Sequence, residues 1–157
     1  MPEDYPRIDV TVDVVALTEI DASLHVLVVR RGNPPFEGEW ALPGGYLEVD
    51  EDLAAGAARE LGEETGVSVR HEELRQLGAF GAPDRDPRNR TVSVAFLAEL
   101  DREAEATGGS DAAEAVWKPV DELLTSDLAF DHETILREGV AASRWATSLP
   151  SAHADPG

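Results

Sequence analysis

The sequence has no cysteine, a single lysine (Lys118), and only 13 basic residues against 32 acidic ones. Without thiols there is no disulfide, no thiolate metal site and no cysteine nucleophile. The formal charge of −19 repels polyanions, so no nucleic acid is expected as a partner. A small phosphorylated ligand stays compatible with that field, because a bound divalent cation reverses it locally. Long apolar runs are lacking too. None approaches the roughly 20 residues of a membrane span, and Met1 to Arg7 has no signal-peptide core. The expectations are therefore no membrane contact and a cytoplasmic location.

What is present suits one soluble globular domain: 157 residues, 42% hydrophobic and 29% charged, enough to bury a core. Residues 1–147 are expected to form that domain, and 148–157, rich in Ser, Ala and Pro, a disordered tail. Ile8, Val10, Val12 and Val14 alternate with polar residues, the period of a half-buried strand. A turn near Ile20 to Ser23 leads into a second strand, Leu24 to Arg30. Gly32 to Trp40, with Pro34, Pro35 and Gly38, reads as a loop. Asp50 is a candidate N-cap for a helix through Thr65, with Glu51 and Asp52 favouring its dipole and Gly66 as its stop. Further strands are expected over Leu74 to Phe80, Thr91 to Leu100 and Ala115 to Lys118, and a last helix from an Asp131 cap to Trp145. Mixed strands with two main helices predict helices packed on a mixed sheet.

Leu53, Ala54, Ala57, Ala58 and Leu61 form one apolar helical stripe. Glu60, Glu63 and Glu64 lie at i, i+3 and i+4 beside it, where like charges cost roughly 0.2–0.5 kcal/mol per pair. Arg59 can pair with Glu63, but one guanidinium does not neutralise three carboxylates. A solvated acidic face is one reading. A site for a hard cation such as Mg2+ is the other, because carboxylates at the edge of an apolar stripe are partly desolvated.

The surrounding spacing decides between them. Gly45, Glu51, Arg59-Glu60-Leu61, Glu63-Glu64 and Gly66-Val67 match G-x5-E-x7-R-E-U-x-E-E-x-G-U, with U aliphatic, at every specified position. Such a match arises by chance roughly once in 10^9 trials in this composition. The chain thus resembles the Nudix hydrolases, which implies a Nudix-type α/β/α sandwich with a mixed β-sheet. The resemblance also implies Mg2+-dependent (or Mn2+-dependent) hydrolysis of a nucleoside diphosphate derivative. By the same resemblance Glu60, Glu63 and Glu64 hold metal with the Gly45 carbonyl, Arg59 orients the carboxylates, and Glu51 supports the helix start.

Several stretches outside the motif resemble the ADP-ribose pyrophosphatase branch: Arg30-Arg31, Pro35-Phe36, Trp40 to Gly45, Pro83 to Phe96, and Phe130-Asp131-His132. That implies ADP-ribose as substrate and a homodimer. Candidate substrate contacts are Arg30, Arg85 and Arg88, since arginine binds phosphate bidentately, although pairing with surface acids competes. Phe36 or Trp40 is a candidate for stacking on a purine, with simple packing as the alternative. His132 is a further candidate, against a structural role at a helix start. Asp111 and Glu114 precede Trp117, where relatives often place an extra carboxylate near the metal. Two other readings compete: a MutT-like nucleoside triphosphatase, and a regulator that senses ADP-ribose without cleaving it. Only about a dozen residues follow the last expected helix, which together with the charge argues against an attached DNA-binding domain.

Overall fold

The first strand runs further than its alternation. In the computed structural model, which describes residues 5–109, 112–126 and 128–148, β1 (Asp9–Ile20) is 12 residues long and buried throughout from Thr11 to Thr18. A sheet covered on both faces leaves no solvent side for polar residues to occupy. The strand is therefore not half-buried as its first residues suggest. β2 (Ser23–Arg31) returns antiparallel through Asp21 and Ala22, whose φ of 52° and 65° suit a tight hairpin.

After β3 (Trp40–Ala41) and β4 (Gly44–Tyr46) come α1 (Leu53–Thr65), β5 (Arg75–Phe80), β6 (Thr91–Glu99), β7 (Ala112–Pro119), α2 (Val120–Leu123) and α3 (His132–Ala142). The sheet order is β3-β2-β1-β6-β5, with β4 joined to β1 and β7 to β2. β1 and β6 are parallel, from Asp9 opposite Thr91 to Leu17 opposite Glu99. The other pairings are antiparallel, so the sheet is mixed. The pleat sends Val12, Val14 and Ala16 towards Ala57 and Leu61 of α1. It sends Val15 and Leu17 to the opposite face, against Ile135, Leu136 and Val140 of α3. The result is the expected α/β/α sandwich.

The boundaries of the helices shift from their expected places. Asp52 rather than Asp50 caps α1, accepting the Leu53 N–H, and Gly66 closes it at φ 78°. Glu51 stays outside the helix because its carboxylate binds Arg59 and the Glu48 N–H instead. Asp131 precedes α3 but makes no side-chain cap, since both its oxygens receive Arg85. α3 ends at Ala142, three residues before Trp145. The tail expected from residue 148 lies outside the described residues apart from Ser148 itself.

One departure from a regular sheet makes room for a site. β1 pairs with β2 only over Leu17 to Ile20, and over Thr11 to Asp13 it pairs with β4 instead. The two long strands diverge below Leu17. The connection from β3 to β4 enters the wedge, where the Pro43 carbonyl accepts the Val14 N–H at 2.9 Å.

Candidate active site

A cavity of about 530 Å³ opens in this wedge, within the range of small-molecule sites. One wall is the inner edge of α1, with Arg59, Glu60, Glu63 and Glu64; Gly44 to Glu48 form the rim beside it. Thr11, Asp13, Ala41 and Leu42 also line the cavity, as do Arg31, Arg85, Arg88 and Phe130. The α1 side chains reach the cavity because the stripe Ala57 and Leu61 is anchored in the core beneath them.

Arg59 organises this edge. It donates to both oxygens of Glu51, at 2.6 and 2.9 Å, to Glu60 at 3.0 Å and to Glu63 at 3.2 Å. Glu51 is thereby held below its ordinary pKa, chiefly by the Arg59 hydrogen bonds. Gly56 admits this contact, since a Cβ there would lie 2.8 Å from Glu51 Oε1. Glu60 is pushed up by burial, only partly offset by Arg59. Glu64 accepts the Gly44 N–H at 2.9 Å. Burial, with Glu60 and Asp13 adding to it, still pushes its pKa up to about 8.

These residues fit a hard divalent cation in their chemistry. They offer anionic oxygen donors, two of them made unfavourable as free ions by burial, which is the condition a bound Mg2+ or Mn2+ relieves. Gly45 packs so closely on Glu60 that a Cβ would stand 2.6 Å from its Oε1, so backbone and carboxylate share one spot. Arg59 draws Glu60 and Glu63 to itself while Gly44 holds Glu64. Accordingly, among the described residues no three Asp, Glu or His side chains stand close enough to hold an ion without moving.

The sequence-derived substrate contacts are distributed unevenly. Arg85, Arg88 and His132 line the cavity. Arg85 is buried and bound bidentately to Asp131 at 2.6 and 2.9 Å. Arg88 is bound to Asp86 at 2.7 and 3.0 Å. His132 is buried, and its Nδ1 accepts the Leu42 N–H at 2.9 Å; burial lowers its pKa. Arg30 and Phe36 do not line the cavity. Arg30 lies over the Trp40 ring at 4.8 Å and pairs with Glu114 at 3.3 Å, because its neighbour Arg31 takes the inward position on β2. Phe36 packs edge-on behind Phe130, with centroids 4.8 Å apart, and so supports that ring rather than reaching the cavity. Glu114 is spent on Arg30 and does not line the cavity, and Asp111 lies outside the described residues.

Among the lining residues absent from the candidates read from the sequence are Asp13, Arg31, Tyr46 and Phe130. Asp13 sits in the alternating segment that reads as a solvent face, so only the covering α3 layer reveals it. Arg31 shares a dipeptide with Arg30, and the unbroken burial of Val26 to Val29 hides which of the two points inward. Tyr46 falls at an unspecified position of the motif. Phe130 enters the cavity through a left-handed backbone, φ 55°, for which the sequence carries no signal. Arg31 and Arg88 both lie over the Phe130 ring, at 4.9 and 5.6 Å.

A family model for the NUDIX domain matches residues 7–139. The ADPR responsive transcriptional repressor NtrR of Acinetobacter baylyi is 35% identical over 140 residues, which are 88% of this chain and 55% of the repressor. This chain thus spans about half of that relative's length. An ADP-ribose pyrophosphatase of Methanocaldococcus jannaschii is 38% identical over 119 residues, 76% of this chain and 68% of its own. Among solved structures, the NUDIX domain of Shewanella oneidensis NrtR complexed with ADP ribose superposes with a TM-score of 0.80. It is 33% identical, over 88% of this chain and 90% of that one.

Proposed function

This chain belongs to the NUDIX family, and on that premise we propose that it hydrolyses the pyrophosphate of a nucleoside diphosphate derivative, with ADP-ribose cleaved to AMP and ribose 5-phosphate. The observation that carries this reading is one cavity lined both by Glu60, Glu63 and Glu64 and by Arg31. A pyrophosphate diester needs anionic donors for metal and cationic contacts for its remaining oxygens. The ADP-ribose pyrophosphatase relative and the ADP-ribose-bound neighbour support the choice of substrate.

Mg2+, or Mn2+ in its place, bound by Glu60, Glu63, Glu64 and the Gly45 carbonyl, would neutralise phosphate oxygens and acidify a water. Arg59 gathers Glu60 and Glu63 at the cavity edge, and Glu51 locks Arg59 in place. Gly44 orients Glu64 through its N–H. Arg88, fixed by Asp86, presents a rigid guanidinium to the part of the substrate beyond the pyrophosphate. A homodimer in the cytoplasm completes the proposal.

A non-hydrolysing sensor is the second reading, favoured by the repressor's match over 88% of this chain. Incubation with ADP-ribose and Mg2+, followed by chromatography of the nucleotides, separates the two. We expect AMP to accumulate over many turnovers. Stoichiometric binding without AMP would replace the enzyme by the sensor, and a preference for dGTP or an oxidised form in kcat/KM would replace the substrate.

A further inference from the structure

The roles above leave a buried acid and a buried imidazole unused. Asp13 is 6% exposed and His132 is 4% exposed, on the face of the sheet otherwise filled by Val15, Leu17 and Ile135. Asp13 Oδ2 accepts the Ser93 hydroxyl of β6, and its Oδ1 stands 3.5 Å from His132 Nε2. On the far side of the ring, Nδ1 accepts the Leu42 N–H at 2.9 Å. A ring nitrogen that accepts an N–H carries no proton, so the neutral imidazole holds its proton on Nε2, the nitrogen that stands at ion-pair distance from Asp13 without a hydrogen bond to it. Burial favours that neutral form.

The chain of contacts does not end at Leu42. Pro43 follows, with its carbonyl on the Val14 N–H, and then Gly44, whose N–H holds Glu64 Oε1 at 2.9 Å. Gly45 comes next, against Glu60. We propose that Asp13 and His132 are positioning residues for the glutamate set. Asp13 selects the tautomer of His132, His132 fixes the Leu42 peptide, and that peptide sets the Gly44–Gly45 backbone on which Glu64 and Glu60 rest. Neither side chain has to touch substrate. A packing role alone would be met by two apolar side chains without the desolvation that a buried acid and imidazole cost. The inference rests on the proposed metal role of Glu60 and Glu64 but not on the identity of the substrate.

The test has one arm on the wild type and one on variants. Long-range 1H–15N correlation on the labelled full chain at neutral pH, with His132 assigned by its loss in His132→Asn, should show Nε2 protonated and Nδ1 bare. A proton on Nδ1 would overturn the proposal without any variant having to fold. Asn places its amide oxygen near the position of Nδ1 and keeps an acceptor for Leu42. Gln reaches towards Asp13 but gives that acceptor up. Mn2+ affinity, read by electron paramagnetic resonance without substrate, should therefore weaken about ten- to a hundredfold in His132→Gln and only a few-fold in His132→Asn. In His132→Gln, kcat should fall more than KM rises. Asp13→Asn, which offers an amide donor towards Nε2 and so favours the other tautomer, should behave like His132→Gln. Equal effects of Asn and Gln, or unchanged Mn2+ affinity in His132→Gln, would refute the positioning role. A wild type that binds Mn2+ yet releases no AMP would remove the ADP-ribose reading and leave this inference standing.

Discussion

Glu64 carries the sharpest consequence of placing carboxylates at the edge of a core. Its folded-state pKa of about 8 lies above the ordinary 4.5 of a glutamate, so between those values the folded chain holds a proton that the unfolded chain releases. Stability without metal should accordingly fall as pH rises through that window. Glu64→Gln removes the ionisable group. In excess chelator it should melt above the wild type at pH values past 8 and level with it near 4.5, as read by thermal circular dichroism. The same variant should lose roughly 10^2-fold or more in turnover with Mg2+. Full activity in Glu64→Gln, or undiminished wild-type activity under chelation, would discard the metal role. Arg85 and Arg88 divide in an analogous way. Arg85→Ala strands the Asp131 carboxylate at the start of α3 and should cost about 3 kcal/mol by urea titration. Arg88 is 39% exposed at its side chain, so Arg88→Ala should spare stability and raise KM for ADP-ribose about tenfold with kcat nearly unchanged. The reverse pattern would mean that Arg85, not Arg88, reads the substrate.

At the scale of elements, the short strand β4 couples the sheet to α1, and its two glycines divide the work. A Cβ on Gly44 would stand 2.1 Å from the Val12 carbonyl of β1, a backbone atom that cannot yield. Gly44→Ala should therefore disrupt the β1–β4 pairing and cost about 3 kcal/mol or more. The nearest atoms to a Cβ on Gly45 are those of the Glu60 carboxylate, the free end of a side chain that swings aside. Gly45→Ala should keep its melting temperature while losing activity and Mn2+ affinity. A Gly45→Ala variant as active as the wild type would show that this backbone does not serve the site.

For the whole molecule, the charge of −19 opposes association, yet the large hydrophobic residues Tyr5, Ile8, Val10, Tyr46 and Val49 are exposed. Exposed apolar residues are what a self-association surface would cover. The proposed homodimer predicts a sedimenting species of twice the 16.9 kDa chain mass, more populated as added salt screens the repulsion. A single 16.9 kDa species at all salt and protein concentrations would exclude it.

The sequence by itself determined the elements with strong local causes. The period-2 run opening β1, the apolar stripe of α1, the Gly66 stop and the spacing from Gly45 to Val67 are set by backbone geometry and by chemistry between near neighbours. Those features sufficed to name the glutamate wall and the sandwich. Tertiary structure decided everything that depends on which face is covered. Asp13 belongs to the core only because α3 packs over the face that its alternation assigns to solvent. Arg31 displaces Arg30 from the site because β2 is buried on both sides, so no polar alternation marks its pleat. Phe130, not Phe36, lines the cavity because a left-handed turn before α3 aims it inward. The lining outside β4 and α1 draws on β2, the loop before β6 and the start of α3. Chain segments that far apart meet only through the divergence of β1 from β2, and no local pattern encodes that.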